Sequence, residues 1–252
     1  MKEWMYKHKE VIENFLLFLN KESDNYILKG GTSLMMCYNL DRFSEDIDLD
    51  AVHKSNTIKK IVENFCGKNG YSFRIAKDTD IVKRYMINYS EEKNLKVEIS
   101  FRRKELTFKD KCDIINGIRV YNINELCGMK SSAYLSRDKI RDLYDVAFIC
   151  NNYWDEISES AKSVLRNALE YKGIEQFDYM IATQKDELID EDKLTESFLM
   201  MFEKLGLLYS DDTVTQKIND INVTCDKIEV FIEDNRLDHI EKENNTAKNN
   251  ER

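Results

Sequence analysis

The sequence predicts an α+β protein: a mixed sheet with flanking helices over residues 1–125, a helical domain over 126–240 and a disordered tail over 241–252. Three observations carry this. Short runs of strand-like alternation cluster before residue 125. From Asn124 onward the apolar spacing turns helical and stays so. Charge divides near the same place. Residues 1–150 hold 26 Lys+Arg against 23 Asp+Glu, a net of +3, and residues 151–252 hold 12 against 24, a net of −12. Such asymmetry suggests two regions with different tasks, the first able to meet a polyanion and the second repelling one.

The elements follow in order. Val11, Ile12, Phe15, Leu16 and Leu19 recur at helical spacing, which predicts a helix over 5–20. Tyr26-Ile27-Leu28 is a short apolar run that ends at Lys29-Gly30-Gly31. Residues 32–40 read as a helix, 46–52 as a strand and 56–68 as a helix. Strand-like runs follow at 71–77, 81–90 and 94–102, with a fourth at 118–121. Helices are then expected at 124–136, 138–151, 156–171, 174–184, 192–208 and 214–234. The tail from Glu241 contains no apolar residue but one Ala, too little to offset the entropy of ordering it.

Composition narrows the class. With 252 residues, 42% hydrophobic and 11% aromatic, the chain can bury a sizeable core. No apolar run approaches the ~18 residues of a membrane span, and the N-terminal residues have no signal-peptide apolar stretch. A cytoplasmic protein with no membrane partner is the expectation. Cys37, Cys66, Cys112, Cys127, Cys150 and Cys225 form no C-x-x-C pair, and none stands in ligand spacing to His8, His53 or His239. That argues against a zinc site, a disulfide framework and a His-based hydrolase triad.

The segment Arg42-Phe43-Ser44-Glu45-Asp46-Ile47-Asp48-Leu49-Asp50 is the most informative. Strand alternation puts Asp46, Asp48 and Asp50 on one face and Ile47 and Leu49 on the other. Carboxylates two residues apart repel unless a cation lies between them, and hard oxygen donors suit Mg²⁺. In Asn94–Phe101 the residues Leu95, Val97, Ile99 and Phe101 form an apolar face, with Lys96, Glu98 and Ser100 opposite. If the two strands are neighbours, Glu98 supplies a third carboxylate. Two or three carboxylates plus nucleotide phosphates make a Mg²⁺ phosphoryl-transfer site. Taken alone, each strand also reads as an ordinary amphipathic one.

Gly30-Gly31-Thr32-Ser33 precedes a helical run. Paired glycines let backbone N–H groups approach a phosphate, and a helix start favours anions. Thr32 or Ser33 adds a hydroxyl donor, or simply caps the helix. The pattern is not a Walker A loop.

Further on, Ile140, Leu143, Tyr144, Ala147 and Phe148 form an apolar stripe, with Asp138, Arg141, Asp142 and Asp145 on the other side. This fits a surface helix with ion pairs. It also fits a helix whose neighbours Lys130, Arg137 and Arg141 turn toward the strand carboxylates.

The turn Gly30-Gly31-Thr32-Ser33-Leu34 followed by Arg42-x-Ser44-x-Asp46-Ile47-Asp48-Leu49 resembles the AbiEii/AbiGii toxin family of DNA polymerase β-like nucleotidyltransferases. Two further matches extend the resemblance over residues 29–145. They are the third-acid strand Lys96-Val97-Glu98-Ile99 and the segment Lys130–Asp145, which looks like the family's K-x-x-A-x-x-x-R and R-D-x-x-D motifs. The acidic half beyond residue 151 carries no such motif.

The resemblance implies a minimal nucleotidyltransferase sheet followed by a helical domain that contributes Lys130 and Asp145 to the cleft. It implies an NTP-dependent enzyme in which Asp46, Asp48 and Glu98 hold Mg²⁺. Gly30, Gly31, Thr32, Ser33, Arg42, Ser44 and Lys130 would bind the nucleotide, and Lys130 with Asp145 or Asp142 would matter for activity. It implies a toxin of a bacterial toxin–antitoxin or phage abortive-infection pair, with a cognate antitoxin that need not form a tight complex. Relatives suggest an RNA acceptor, tRNA 3′ ends among them. Residues 102–111, with Arg102, Arg103 and Lys104 at their start, carry a net +3 and could meet a phosphate backbone. Two other readings stay open: a nucleotidyltransferase that modifies a protein or small molecule, and an inactive nucleotide-binding module.

Overall fold

A computed structural model describes residues 2–102 and 110–208 of the chain. The chain divides into two units, Met1–Leu205 and Gly206–Arg252. Every element below lies in the first. The expected helix over 214–234, the tail over 241–252 and the basic residues Arg103 and Lys104 fall outside the described residues.

The apolar stripe at the N-terminus winds into α1 (Glu3–Glu22), which buries Val11, Ile12, Phe15, Leu16 and Leu19. The run after it is β1 (Tyr26–Lys29), and the acidic segment supplies β2 (Ile47–Ala51). Between them lies α2 (Gly30–Cys37), which begins two residues before the expected start because its first turn includes both glycines. Then come α3 (Thr57–Asn69), β3 (Ser72–Asp78), β4 (Val82–Asn88), β5 (Asn94–Ser100), β6 (Cys112–Ile115) and β7 (Ile118–Tyr121).

The seven strands form one mixed sheet in the order β3-β4-β5-β2-β1-β7-β6. β2 runs parallel to β5 and β1 parallel to β7, and the other pairs are antiparallel. The parallel β2–β5 pairing makes the two acid-bearing strands direct neighbours. Phe15 and Phe65 meet edge to face between α1 and α3, and Phe73 and Tyr85 share the same sheet face, so one side of the sheet carries the core.

The strand β6 is not among the sequence expectations. Its hairpin to β7 turns at Asn116 and Gly117, with φ of 52° and 79°. That left-handed pair is what a two-residue hairpin turn needs, and Asn-Gly is its sequence sign.

The remaining described elements are helices: α4 (Ile123–Ser136), α5 (Ile140–Asn152), α6 (Glu159–Thr183) and α7 (Glu191–Lys204). α6 is interrupted at Gly173, where the backbone is non-helical, which matches the two shorter helices read from sequence. Asn122, Ser158 and Asp190 cap α4, α6 and α7 through their side chains. The five described cysteines are free. Burial pushes the thiols of Cys37 and Cys150 up to about 12 and those of Cys66, Cys112 and Cys127 up to about 11, so none is a ready thiolate. No described helix is long and apolar enough to cross a membrane.

Candidate active site

Strand register builds the site. Lys29 of β1 lies opposite Asp48 of β2, Asp48 opposite Glu98 of β5, and Glu98 opposite Arg84 of β4. Directly opposed residues share a sheet face. One row of alternating charge therefore crosses four strands: Lys29, Asp48, Glu98, Arg84. Asp46, just ahead of β2, and Lys96 of β5 sit beside this row, with Lys96 Nζ 2.5 Å from Asp46 Oδ2.

The three acids differ in their partners. Arg84 holds Glu98 Oε2 through Nε at 2.7 Å and Nη2 at 2.5 Å. Asp46 has Lys96. Asp48 has no hydrogen-bond or ion-pair partner among the described residues. Burial pushes its carboxyl above the usual range, opposed by Lys96 and reinforced by the nearby Asp46 and Glu98. Asp50, on the same face, is almost wholly buried and held by Lys29 Nζ at 2.5 Å and Tyr121 Oη at 3.0 Å. It braces the strand rather than facing the cleft.

The glycine turn packs against this row. Gly30 has φ +79°, and a Cβ there would meet Asp48 Oδ2 at 3.0 Å. At Gly31 a Cβ would meet Arg42 Nη2 at 2.6 Å and Ser44 Oγ at 2.9 Å. The hydroxyls are engaged internally. Thr32 Oγ1 donates to the Asp46 carbonyl and lies 2.9 Å from Ser44 Oγ, while Ser33 Oγ donates to the Gly30 carbonyl at 2.6 Å. Both side chains are buried. Thr32 thereby fixes the backbone at Asp46.

Opposite the sheet, α4 and α5 present a buried charge chain. Arg42 grips Asp145 with two bonds of 2.7 Å, Nε to Oδ1 and Nη2 to Oδ2. Lys130 Nζ is 2.5 Å from Asp145 Oδ2 and 3.4 Å from Asp142 Oδ1. Arg137 closes the chain on Asp142 at 2.6 and 3.1 Å. Asp142 and Asp145 are thus interior groups and not part of a solvated helix face, because three cations compensate their burial. Arg141 does not turn to the strand carboxylates. It binds Asp186 at 2.5 and 3.1 Å, with Glu45 at 3.9 Å.

Two cavities open onto these groups. One, of about 760 Å³, is lined by Lys29, Gly30 and Arg102 with small residues of α4 and α6. The other, of about 930 Å³, is lined by Arg42, Ser44, Asp46, Arg84, Lys96 and the start of α5. Asp48, Glu98, Lys130 and Arg137 line both. They form the wall shared by two lobes of one cleft. Arg84, Lys96 and Lys29 were not singled out from sequence. No motif marks Arg84, which only the β4–β5 register brings beside Glu98.

A family model described as "Nucleotidyl transferase AbiEii toxin, Type IV TA system" matches residues 16–219. The chain belongs to the AbiEii toxin family. It is a nucleotidyltransferase of that family, and its mixed sheet is the nucleotidyltransferase fold. The crystal structure of JHP933 from Helicobacter pylori is 26% identical, with a TM-score of 0.67, over 88% of this chain and 99% of that one. A putative nucleotidyltransferase from H. pylori is 26% identical, with a TM-score of 0.64, over 83% of this chain and all of that one. The MenT4 nucleotidyltransferase toxin of Mycobacterium tuberculosis shares the fold at 18% identity and a TM-score of 0.50, over 83% of this chain and 87% of that one. No curated protein matches the chain.

Among the described residues of this AbiEii-family chain, no three His, Cys, Asp or Glu side chains are grouped to hold a metal ion. The donor chemistry nevertheless suits a hard divalent cation. Asp48 is a half-buried carboxylate without a partner, its charge opposed by two neighbouring acids, and a cation there would relieve both penalties.

Proposed function

We propose that this AbiEii-family toxin transfers a nucleotide from an NTP to an RNA end, with tRNA 3′ ends as the candidate acceptor, in a toxin–antitoxin or abortive-infection pair. The observation that carries the proposal is the register row Lys29–Asp48–Glu98–Arg84, set in one cleft with Lys130 and Arg137. In this reading the sheet portion, 1–125, binds the nucleotide and the helical portion from 126 contributes Lys130, which the buried Asp145 holds in position.

Mg²⁺ would be held by Asp46, Asp48 and Glu98 and would supply charge neutralisation between these acids and the phosphates. The backbone of Gly30 and Gly31 approaches the phosphates at the start of α2. Thr32 and Ser33, with their hydroxyls turned inward, hold that turn and the Asp46 backbone in place. Arg42 and Ser44 act through position as well, since Arg42 is committed to Asp145. Lys130 and Arg137, on the wall common to both lobes, offset charge on the phosphates during transfer, where positioning and electrostatics do most of the work. Glu98, oriented by Arg84, accepts the proton of the acceptor hydroxyl as its oxygen bonds to the α-phosphorus and pyrophosphate leaves. Arg102 on the first lobe contacts the acceptor.

The test is incubation of the chain with NTP labelled at the α-phosphate and separated cellular RNA, protein and small solutes. Label entering RNA, and lost in Asp48→Asn, is the expected result. Label in protein or a small solute overturns the RNA acceptor, and no label in any fraction overturns transfer.

A further inference from the structure

The sheet face that carries the acids extends past them. Lys77 of β3 lies opposite Arg84, so the row Lys29–Asp48–Glu98–Arg84 continues to Lys77 at the sheet edge. A second row runs beside it. Arg74 of β3 lies opposite Met86 of β4, and Met86 opposite Lys96 of β5, whose ammonium reaches Asp46. The β3 register shifts by one residue between Ile75 and Lys77, and this irregularity sets Lys77 opposite Arg84 although Ile75, two residues earlier, takes the other face. Both rows therefore point to the same face, because opposed residues in a ladder share one. Phe73, Ile75, Tyr85 and Ile87 occupy the alternate positions and face the core side with α3.

Charge along this face is graded. Its acids, Asp46, Asp48 and Glu98, stand at the catalytic end, and two of the three already have a cation. The far end carries only Arg74 and Lys77. Both are exposed, and neither has an ion-pair partner among the described residues. Long cations on a sheet edge guard against strand pairing. Here, however, Lys77 stands in register with the catalytic row, about 14 Å from Asp48 at three strand spacings, and Arg74 stands in the row beside it. Met86 gives a half-buried apolar step between Arg74 and Lys96.

We propose that the open face of β3–β4–β5 is the track for a single-stranded RNA acceptor, with Arg74 and Lys77 binding its phosphates and its end delivered to Asp48 and Glu98. The inference rests on the RNA reading above and adds where the acceptor lies. RNA fits better than an acidic protein surface because the occupant must be narrow enough to end between the catalytic carboxylates while keeping regular negative charge along the face.

The test is binding of a fluorescein-labelled single-stranded oligoribonucleotide to the full chain, followed by anisotropy from 50 to 300 mM salt. Arg74→Ala with Lys77→Ala should weaken binding and lower the slope of log K against log salt by roughly 0.7 per phosphate contact, about 1.4 for the pair. Arg74→Lys with Lys77→Arg should keep the wild-type slope. Lys59→Ala with Lys60→Ala, on α3 behind the sheet, should also keep it. An unchanged slope in the Arg74/Lys77 alanine variant overturns the track while leaving RNA as acceptor. An equal drop in the Lys59/Lys60 variant overturns it too, since only net charge would then matter. If the wild-type chain binds no RNA at any salt, the track and the RNA reading fall together. Melting temperatures equal to wild type show that the exposed substitutions have not unfolded the chain.

Discussion

Arg42 and Asp145 are 103 residues apart and form a two-pronged ion pair with 2.7 Å bonds, buried at both ends. Arg42 belongs to the segment that leads into Asp46, and Asp145 to α5. The pair therefore fixes the acidic strand against the helices. Tyr144 Oη, donating to Asp41 at 2.8 Å, fastens the same segment one residue away. A buried pair like this adds less net stability than its geometry suggests, because both charges have lost water. Its effect is to set one arrangement of the two walls of the cleft, and removal of one partner leaves the other stranded.

Asp145→Asn should accordingly cost about 3–5 kcal/mol, the usual penalty for an uncompensated buried charge. Arg42 would lose its anion, and Lys130 the nearer of its two. Asp142→Asn should cost less, about 1.5–3 kcal/mol, the range for a hydrogen bond to a charged group. Its partner Arg137 has a side chain 58% exposed that can rehydrate, and Lys130 keeps Asp145. Urea denaturation of the two variants separates them, and an equal or reversed order would contradict the network.

Gly31→Ala should destabilise by about 1–3 kcal/mol, the range for overpacking. The added methyl would stand 2.6 Å from Arg42 Nη2, which cannot retreat without leaving Asp145. Gly67→Ala in α3 is the matched control. It has nothing within 4 Å, and at a helical position should raise stability by about 0.4–1 kcal/mol. Thermal melts of both proteins check the pair. A neutral Gly31→Ala would show that the turn has slack.

These variants also mark how far the sequence could be read. That Asp48 and Glu98 share one sheet face was legible, because alternation assigns faces within a strand. Most strands and helices were legible from local periodicity in the same way. The roles of Arg42, Asp142 and Asp145 were not. Spacing alone places both aspartates opposite an apolar stripe, as on a solvated helix, whereas long-range pairing buries them. Arg84 was invisible, since its meaning is a register partner 14 residues away. β6 was missed although Asn116-Gly117 announces its hairpin, because Cys112–Ile115 is short and alternates weakly.

His8 supplies a pH dependence. Its ring is buried, with Nε2 2.7 Å from the Glu45 carbonyl and Nδ1 2.6 Å from Tyr89 Oη, which is satisfied by a neutral ring. Burial holds its pKa below the usual 6.5, against the pull of the Glu45 contact. The unfolded chain then takes up the proton first. The stability this neutral ring supports is complete above about pH 6.5 and declines as pH falls toward the folded value. Wild type should lose stability relative to His8→Gln between pH 7 and pH 5, because Gln does not titrate. Parallel pH-dependent melts across that range would contradict the assignment.

The last prediction concerns Asp48 and the cation. In the metal-free chain this carboxylate is a liability: burial raises its pKa, and Asp46 and Glu98 add repulsion. Asp48→Asn removes the charge but keeps the shape, so without divalent metal the variant should be at least as stable as wild type at neutral pH. Added Mg²⁺ should reverse the order. A ligand that binds only the folded state stabilises it by RT ln(1 + [L]/Kd), about 2.7 kcal/mol at a hundredfold excess over Kd. Wild type should gain this and Asp48→Asn should not. The comparison of cation binding therefore needs four melts, each protein with and without Mg²⁺. Equal Mg²⁺ stabilisation of the two proteins would place the cation elsewhere. Loss of nucleotide transfer in a variant that is well folded and indifferent to Mg²⁺ would make Asp48 a direct participant, because the other explanation, a damaged fold, is excluded by the metal-free melt.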